Sequence, residues 1–433
     1  MEVLFIFLAT FFGLAIIFRV PIAFSLGSGA IASFLYAGLP LLNAASSTFS
    51  ALDSIPLLAI PFFILAGYIM EYSGISESLL NMIESWVGKV RGSMGVVTIL
   101  ACAAFGVLTG SALATISAIG SLMSPKMLKL GYKRDYIGAL LASTCFLGIL
   151  IPPSVPGILY ALAAGQSVTK VWISTVGPAF IFMALYAIIN HRRAGRFMEV
   201  NNEKFVAKTF VKNIAVTTYR AIPALIMPII IFGGIYGGIC TATEAGALSV
   251  GYGFIYLFVV KFIIKDKVEA SIYKILLKSA IATATIGAIM IFANVASRAI
   301  TLSGVSNLVA TWISTNIASK NMFLLIVNNI YLIMGTFLDI NSSLLLMTPL
   351  LLPAALKYGI DPVHFGAITL INLSVGFMTP PFANGIFMAS KITGADFVDV
   401  VKEIWPFILA GIVVIILTTY FPSLSMYFVN LIG

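Results

Sequence analysis

Charge is scarce in this chain. Of its 433 residues only 9% are Asp, Glu, Lys or Arg, whereas 60% are hydrophobic. That leaves too little polar surface to cover a soluble globule of this size, so the composition excludes one and places the chain in a bilayer. Cysteine and histidine are nearly absent. Cys102, Cys145 and Cys240 all lie in apolar segments, an odd number without metal-ligand spacing, which argues against a disulfide framework and a zinc site. His191 and His364 are too far apart to share a metal or haem. No phosphate-binding glycine loop and no nucleophile–base pair can be read, so an ATP-driven pump and an enzyme are disfavoured, and no organic cofactor is expected.

What the chain has in abundance is long apolar runs, among them residues 3–18, 172–189, 223–239 and 405–420. Each approaches the ~20 residues that cross ~30 Å of hydrocarbon. The runs are continuous, not alternating, which favours helices over a barrel. The first run has Glu2 where a secretion signal carries a basic residue, and Arg19-Val20-Pro21 where one is cleaved, so it is expected to be retained.

The chain also contains itself twice. Pro125, Lys129, Gly131, Gly138, Gly148, Pro152, Pro153, Gly157 and Pro178 recur without a gap, 228 residues on, as Pro353, Lys357, Gly359, Gly366, Gly376, Pro380, Pro381, Gly385 and Pro406. Upstream the register slips by two, where Ser73-Gly74-Ile75-Ser76 answers Ser303-Gly304-Val305-Ser306. Duplicated halves with Gly- and Pro-interrupted segments at matching positions are the signature of a secondary transporter with a site near the membrane midplane. The expected organisation is a first repeat at 1–190, a cytoplasmic linker at 191–220 and a second repeat at 221–433.

A net charge of +9 does not point to nucleic acid, because the basic residues follow membrane topology. With the first helix running inward, Arg19, Lys89, Arg91, the clusters at 126–134, 192–220 and 261–278, Lys391 and Lys402 share one face. Only Lys170, Arg298, Lys320 and Lys357 fall elsewhere. The positive-inside rule makes the shared face cytoplasmic, leaves both termini outside, and inverts the second half relative to the first.

Within each half, spanning helices precede an amphipathic helix. In the first copy Leu79, Leu80, Ile83, Trp86, Val87 and Val90 share a face opposite Glu77, Asn81, Glu84 and Lys89, with Ser76 as its expected cap and the membrane surface as its expected resting place. Its counterpart surrounds Trp312. Next comes an apolar stretch broken by polar residues, too short to cross twice: Thr109-Gly110-Ser111 in one half, Asp339-Ile340-Asn341-Ser342-Ser343 in the other. Ser111 and Asp339 coincide in the repeat. Both stretches read as tips of re-entrant hairpins meeting near the middle, tolerable at that depth only when buried or lining a polar cavity.

The Pro-Pro pairs break the following helices, since each proline removes a donor and strands carbonyls upstream. Such carbonyls at Gly148, Ile151 and Pro152, and at Gly376, Thr379 and Pro380, together with the oxygens of the two tips, form a hard-oxygen cage suited to Na⁺. The half-helices that begin after each break, at Ser154 and Asn384, point positive ends inward and suit a carboxylate. The plainer alternatives are a proline kink satisfied by a neighbouring hydroxyl and, for Asp339, a tip that reaches water. Arg298, closing an apolar helix, reads either as a partner for an anionic substrate or as a side chain snorkelling to the interface. Glu244 reads as structural, at a helix start capped by Thr243.

Thr109-Gly110-Ser111-Ala112, Ile151-Pro152-Pro153-Ser154, Thr241-Ala242-Thr243-Glu244-Ala245, Leu338-Asp339 and Asp361-Pro362-Val363-His364-Phe365-Gly366 together resemble the large membrane subunit of tripartite ATP-independent periplasmic (TRAP) transporters, over essentially the whole chain. The resemblance implies an all-α membrane protein with scaffold and transport domains that work as an elevator, importing an organic acid such as a sialic acid or C4-dicarboxylate across the bacterial inner membrane with two or more sodium ions. It implies two partners, a periplasmic substrate-binding protein and a small four-helix membrane subunit. It also implies that Ser111, its neighbours and the first Pro-Pro break hold one sodium, and Asp339, Asn341, Ser342 and the Thr379 break another. Asn384 and Asn341-Ser342-Ser343 depart from the commoner pattern of small apolar residues. A self-sufficient Na⁺/dicarboxylate symporter and a channel are the other classes that inverted repeats allow.

Overall fold

A computed structural model describes residues 2–88, 92–194, 207–260, 271–317 and 319–432. Every regular element among them is helical. Among the described residues seven helices are long and apolar enough to cross a membrane, and an eighth candidate, Arg134–Leu150 with Val155–Ala164, is bent by 49° at the first Pro-Pro break.

The duplication in sequence is a duplication of elements. Ala59–Tyr72, Ile75–Val87, Ser93–Thr109, Ala112–Lys129, Val155–Ala164 and Val176–Ala194 reappear in the same order as Ile272–Leu302, Val305–Asn316, Lys320–Phe337, Ile340–Lys357, Asn384–Thr393 and Phe397–Tyr420. The bent helix of the first half answers Pro362–Phe377 in the second. The hairpin arms are 17 or 18 residues long, so each is nearer to a full crossing than the sequence suggested.

Local chemistry sets the junctions. The amphipathic helices begin at Gly74 and Gly304, with φ of +78° and +72°, a left-handed bend that glycine adopts without cost. Ser76 is therefore not the cap: it lies inside the first turn, buried. Leu79, Leu80 and Ile83 face inward as expected. Trp86 instead stays exposed and donates from Nε1 to Thr218 Oγ1 at 2.9 Å, beside a 2.6 Å contact between Ser85 Oγ and Thr217 Oγ1. These bonds lay the helix against Ala207–Tyr236. Lys89, Val90 and Arg91 lie outside the described residues.

Ala207–Tyr236 changes the picture of the linker. Residues 191–194 complete one helix and 207–220 begin another, so the stretch is helical at both ends; residues 195–206 lie outside the described part. Thr241, not Thr243, caps Ala242–Phe258, because the Thr-x-x-Glu spacing lets Thr241 and Glu244 bond each other's backbone N–H groups. Thr243 donates to Ile55 O at 2.9 Å.

Several of the basic residues have partners among the described residues. Lys126 pairs with Glu84 at 3.0 Å and Arg193 with Glu403 at 2.6 Å, and Lys278 bonds Tyr72. Lys357 reaches Thr311 Oγ1 at 3.1 Å. The basic residues of 261–270 and 195–206 lie outside the described residues.

Candidate substrate and ion site

Each hairpin is pinned to its broken helix by glycine against glycine. A side chain built at Gly106 would overlap the backbone of Gly148, and one at Gly335 would lie 3.0 Å from the Gly376 Cα. The absence of a Cβ lets main chain touch main chain, as small residues do at packed membrane interfaces. Gly148 and Gly376, expected near a cation, thus also fix the hairpins.

At the first tip, Ser93–Thr109 ends at Gly110, whose φ is +58°. A side chain there would lie 2.8 Å from Pro153 O, and Gly110 O accepts from Val155 N at 3.4 Å, so tip and break are joined. Ser111 is extended and caps Ala112–Lys129, accepting from Ala114 N at 3.4 Å. Thr115 Oγ1 donates to Ser111 O at 2.8 Å and stands 3.2 Å from Thr109 Oγ1. At the second tip Asp339 caps Ile340–Lys357. Its Oδ1 accepts from the N–H groups of Asn341 at 2.9 Å and Ser342 at 3.2 Å, and its Oδ2 accepts from Ser342 Oγ. Asn341 Oδ1 is buried without a hydrogen-bond partner.

The breaks follow from proline chemistry. Both Pro-Pro peptides are cis. The carbonyls four residues before Pro152 and Pro153 belong to Gly148 and Ile149, and those before Pro380 and Pro381 to Gly376 and Phe377; none can receive the usual helical N–H. Gly376 O takes Thr379 N instead, at 2.9 Å, while Thr379 Oγ1 donates to Val375 O at 2.7 Å. Leu150 O, next along the first break, accepts from Thr175 Oγ1 at 2.5 Å.

Tips and breaks converge on one cavity of about 170 Å³. Its walls come in pairs matched by the repeat: Ser111 with Asp339, Ala112 with Ile340, Leu113 with Asn341, Ile149 with Phe377. Thr109, Gly110, Ala114, Val155 and Pro156 complete this side. The opposite wall is made by Ile64, Gly67, Tyr68 and Glu71 of Ala59–Tyr72 and by Ala282 and Ile286 of Ile272–Leu302. The two sides approach closely at Gly67: a methyl group there would lie 2.9 Å from Leu108 O.

Thr109, Gly110, Ser111, Asp339 and Asn341 are therefore brought together as expected. Ile151, Pro152, Ser342, Thr379 and Pro380 sit beside the lining without forming it. The substrate contacts expected of Arg298, Ser154 and Asn384 are not what the cavity presents. Arg298 is exposed, and it lies twelve residues, about 18 Å, beyond Ile286 on the same helix. Ser154 is buried with its oxygens engaged, Oγ by Gly157 N at 3.1 Å and O by Trp172 Nε1 at 2.9 Å. Asn384 is exposed at the start of Asn384–Thr393. Glu71 was missed by the sequence reading, although an acid within an apolar helix is a signal that could have found it.

Paired hairpins, broken helices and a shared internal cavity define a multi-pass membrane transporter. The model of the family described as "Tripartite ATP-independent periplasmic transporter, DctM component" matches residues 8–424, and the chain belongs to that family. It is 35% identical over 422 residues to the isethionate TRAP transporter permease protein DctMQ of Oleidesulfovibrio alaskensis, covering 96% of this chain and 65% of that one, so it spans just under two thirds of that relative's length. It is 33% identical to the C4-dicarboxylate TRAP transporter large permease protein DctM of Rhodobacter capsulatus, covering 95% and 96% of the two chains. It is 29% identical to the sialic acid TRAP transporter large permease protein SiaM of Vibrio cholerae, covering 94% of both. Among solved structures the fold is similar to the YdaH transporter of Alcanivorax borkumensis, with a TM-score of 0.60, 14% identity and coverage of 88% and 87%. It is also similar to MtrF of Neisseria gonorrhoeae, with a TM-score of 0.58, 13% identity and coverage of 88% and 84%.

Proposed function

We propose that this chain is the permease of a sodium-coupled importer for a small organic acid, delivered by a periplasmic binding protein and carried across the bacterial inner membrane by an elevator motion. The observation that carries the reading is the cavity where Ser111 and Asp339, matched residues of two repeats, face the same space. Sodium is cotransported cargo here, and the donors suit it. Asp339, the unpartnered Asn341 Oδ1 and Ser342 make one hard-oxygen set, extended by the carbonyls of the break at Gly376, Phe377, Thr379 and Pro380. Thr109, Gly110 and Ser111, with the break carbonyls at Gly148 to Pro152, make the other.

The glycine contacts favour movement of each hairpin with its broken helix as one body, and Gly67 leaves the opposing helix bare where that body touches it. The topology read from the basic residues puts both termini in the periplasm. A small four-helix membrane subunit is the expected companion; names among the relatives include a combined DctMQ permease. The relatives' names span isethionate, C4-dicarboxylates and sialic acid, so the family leaves the acid open.

The test is uptake into proteoliposomes under an inward sodium gradient, with and without the cognate binding protein. Accumulation only with both sodium and that protein is expected. Uptake of free acid without the protein selects the self-sufficient symporter, and uptake indifferent to sodium removes the coupling.

A further inference from the structure

The wall that Ala59–Tyr72 gives the cavity has a counterpart that the cavity does not use. Ser73-Gly74 and Ser303-Gly304 fix the register between Ala59–Tyr72 and the end of Ile272–Leu302, since each helix ends on those residues. Phe62 then answers Phe292, and Ala66 answers Ala296. The wall residues Ile64, Gly67, Tyr68 and Glu71 answer Asn294, Ser297, Arg298 and Thr301.

Away from that face the two helices are packed alike. Ala59, Ala66, Ile69 and Met70 are buried, and so are their partners Ile289, Ala296, Ala299 and Ile300. On the wall they differ: Ile64 and Gly67 are buried, whereas Asn294, Arg298 and Thr301 are exposed. The hairpins differ in the same way. Leu108 and Thr109, which rest on Gly67, are buried. They answer Thr336 and Phe337, and Phe337 is 48% exposed, its ring 5.1 Å from that of Phe382, 53% exposed. A contact made in the first half is thus unmade in the second among the described residues, and both surfaces that would make it lie open.

Asn294, Ser297, Arg298 and Thr301 follow the i, i+3, i+4, i+7 spacing of one helix face. A polar stripe left against hydrocarbon is costly, and such residues ordinarily face protein or a water-filled cavity. Inverted repeats supply the second arrangement, because exchanging the conformations of the two halves turns a site open to one side into a site open to the other. By the topology read from the basic residues, the present wall lies toward the cytoplasm and the unused one toward the periplasm.

We propose that the cavity has a second wall, Asn294, Ser297, Arg298 and Thr301, which completes it in the state open to the periplasm. Thr336 and Phe337 of the second hairpin then rest on Ser297, as Leu108 and Thr109 now rest on Gly67. This rests on the elevator reading above and adds to it the residues that receive cargo on loading. Where the acid is loaded it meets an amide at Asn294 and a hydroxyl at Ser297; where it is released it meets Ile64 and Gly67 at those places, beside Tyr68 and Glu71. Arg298 takes the place of Tyr68, but its long side chain can reach on to water, and no cargo contact is placed on it.

The experiment is disulfide trapping in proteoliposomes in sodium chloride. Ser297→Cys and Phe337→Cys are combined in a chain whose Cys102, Cys145 and Cys240 are replaced by alanine, copper phenanthroline is added, and linked peptides are followed by mass spectrometry. This pair is expected to link at least about tenfold faster than Leu302→Cys with Phe337→Cys, because Leu302 lies about 140° round the helix from Ser297. Equal rates, or no link in either pair, overturns the second wall. Uptake of isethionate, succinate or N-acetylneuraminate by the same liposomes, given the binding protein before oxidation, decides how far such a failure reaches. Uptake of any one leaves the importer reading standing, and uptake of none removes that reading as well.

Discussion

Asp339 is to the second hairpin what Ser111 is to the first: both cap the returning arm, and both line the same cavity from opposite halves of the chain. The repeat has kept the job and changed the charge.

Separating job from charge gives the first prediction. Asp339→Asn retains an oxygen that can cap, whereas Asp339→Ala removes the cap at a cost of about 1 kcal/mol. Both are expected to raise the sodium concentration for half-maximal uptake at least about tenfold. Only the alanine variant is expected to melt clearly lower. Unchanged sodium dependence in both, measured in proteoliposomes, would remove Asp339 from the ion site.

Gly106→Ala and Gly376→Ala place a methyl group against the facing backbone at Gly148 and Gly335. Overpacking of this kind costs about 1–3 kcal/mol. Gly251→Ala, with nothing within 4 Å of the added carbon, is the comparison and should hold or gain stability. Detergent melting curves decide; equal behaviour of all three would refute the pinning of hairpin to broken helix.

Thr175→Val should strip Leu150 O of its hydroxyl partner. A buried carbonyl left unsatisfied costs about 1–3 kcal/mol. The variant is expected to melt lower than Thr175→Ser, which keeps the hydroxyl. Identical curves would show that the bond contributes nothing.

Arg298→Ala is expected to take up substrate within about twofold of the unaltered chain, because Arg298 is exposed and away from the cavity. A loss of tenfold or more in uptake would return it to the transport path.

The duplication, the hairpin tips and the Pro-Pro breaks were legible in the sequence because each is a local pattern: a matched spacing, a polar cluster in an apolar run, a missing N–H. What stayed hidden depends on which helices meet. Thr175 is twenty-five residues from Leu150, and nothing near either residue announces the bond between them. Gly67 sits in an unremarkable apolar stretch; only the approach of Leu108 gives it meaning. Arg298 drew attention as a lone charge, yet the rise of its own helix carries it past the site.

Gly67 also bears on speed. Interlocked side chains make sliding surfaces stick, since each must change rotamer or climb its neighbour before the next position is reached. Where the hairpin around Leu108 and Thr109 rests on a helix with no side chain to climb, the proposed sliding would meet little more than van der Waals contact. In the elevator motion proposed above, Ile64 and Tyr68 flank that bare patch, and a bulkier residue at Gly67 would act as a brake while leaving the proposed ion ligands in place.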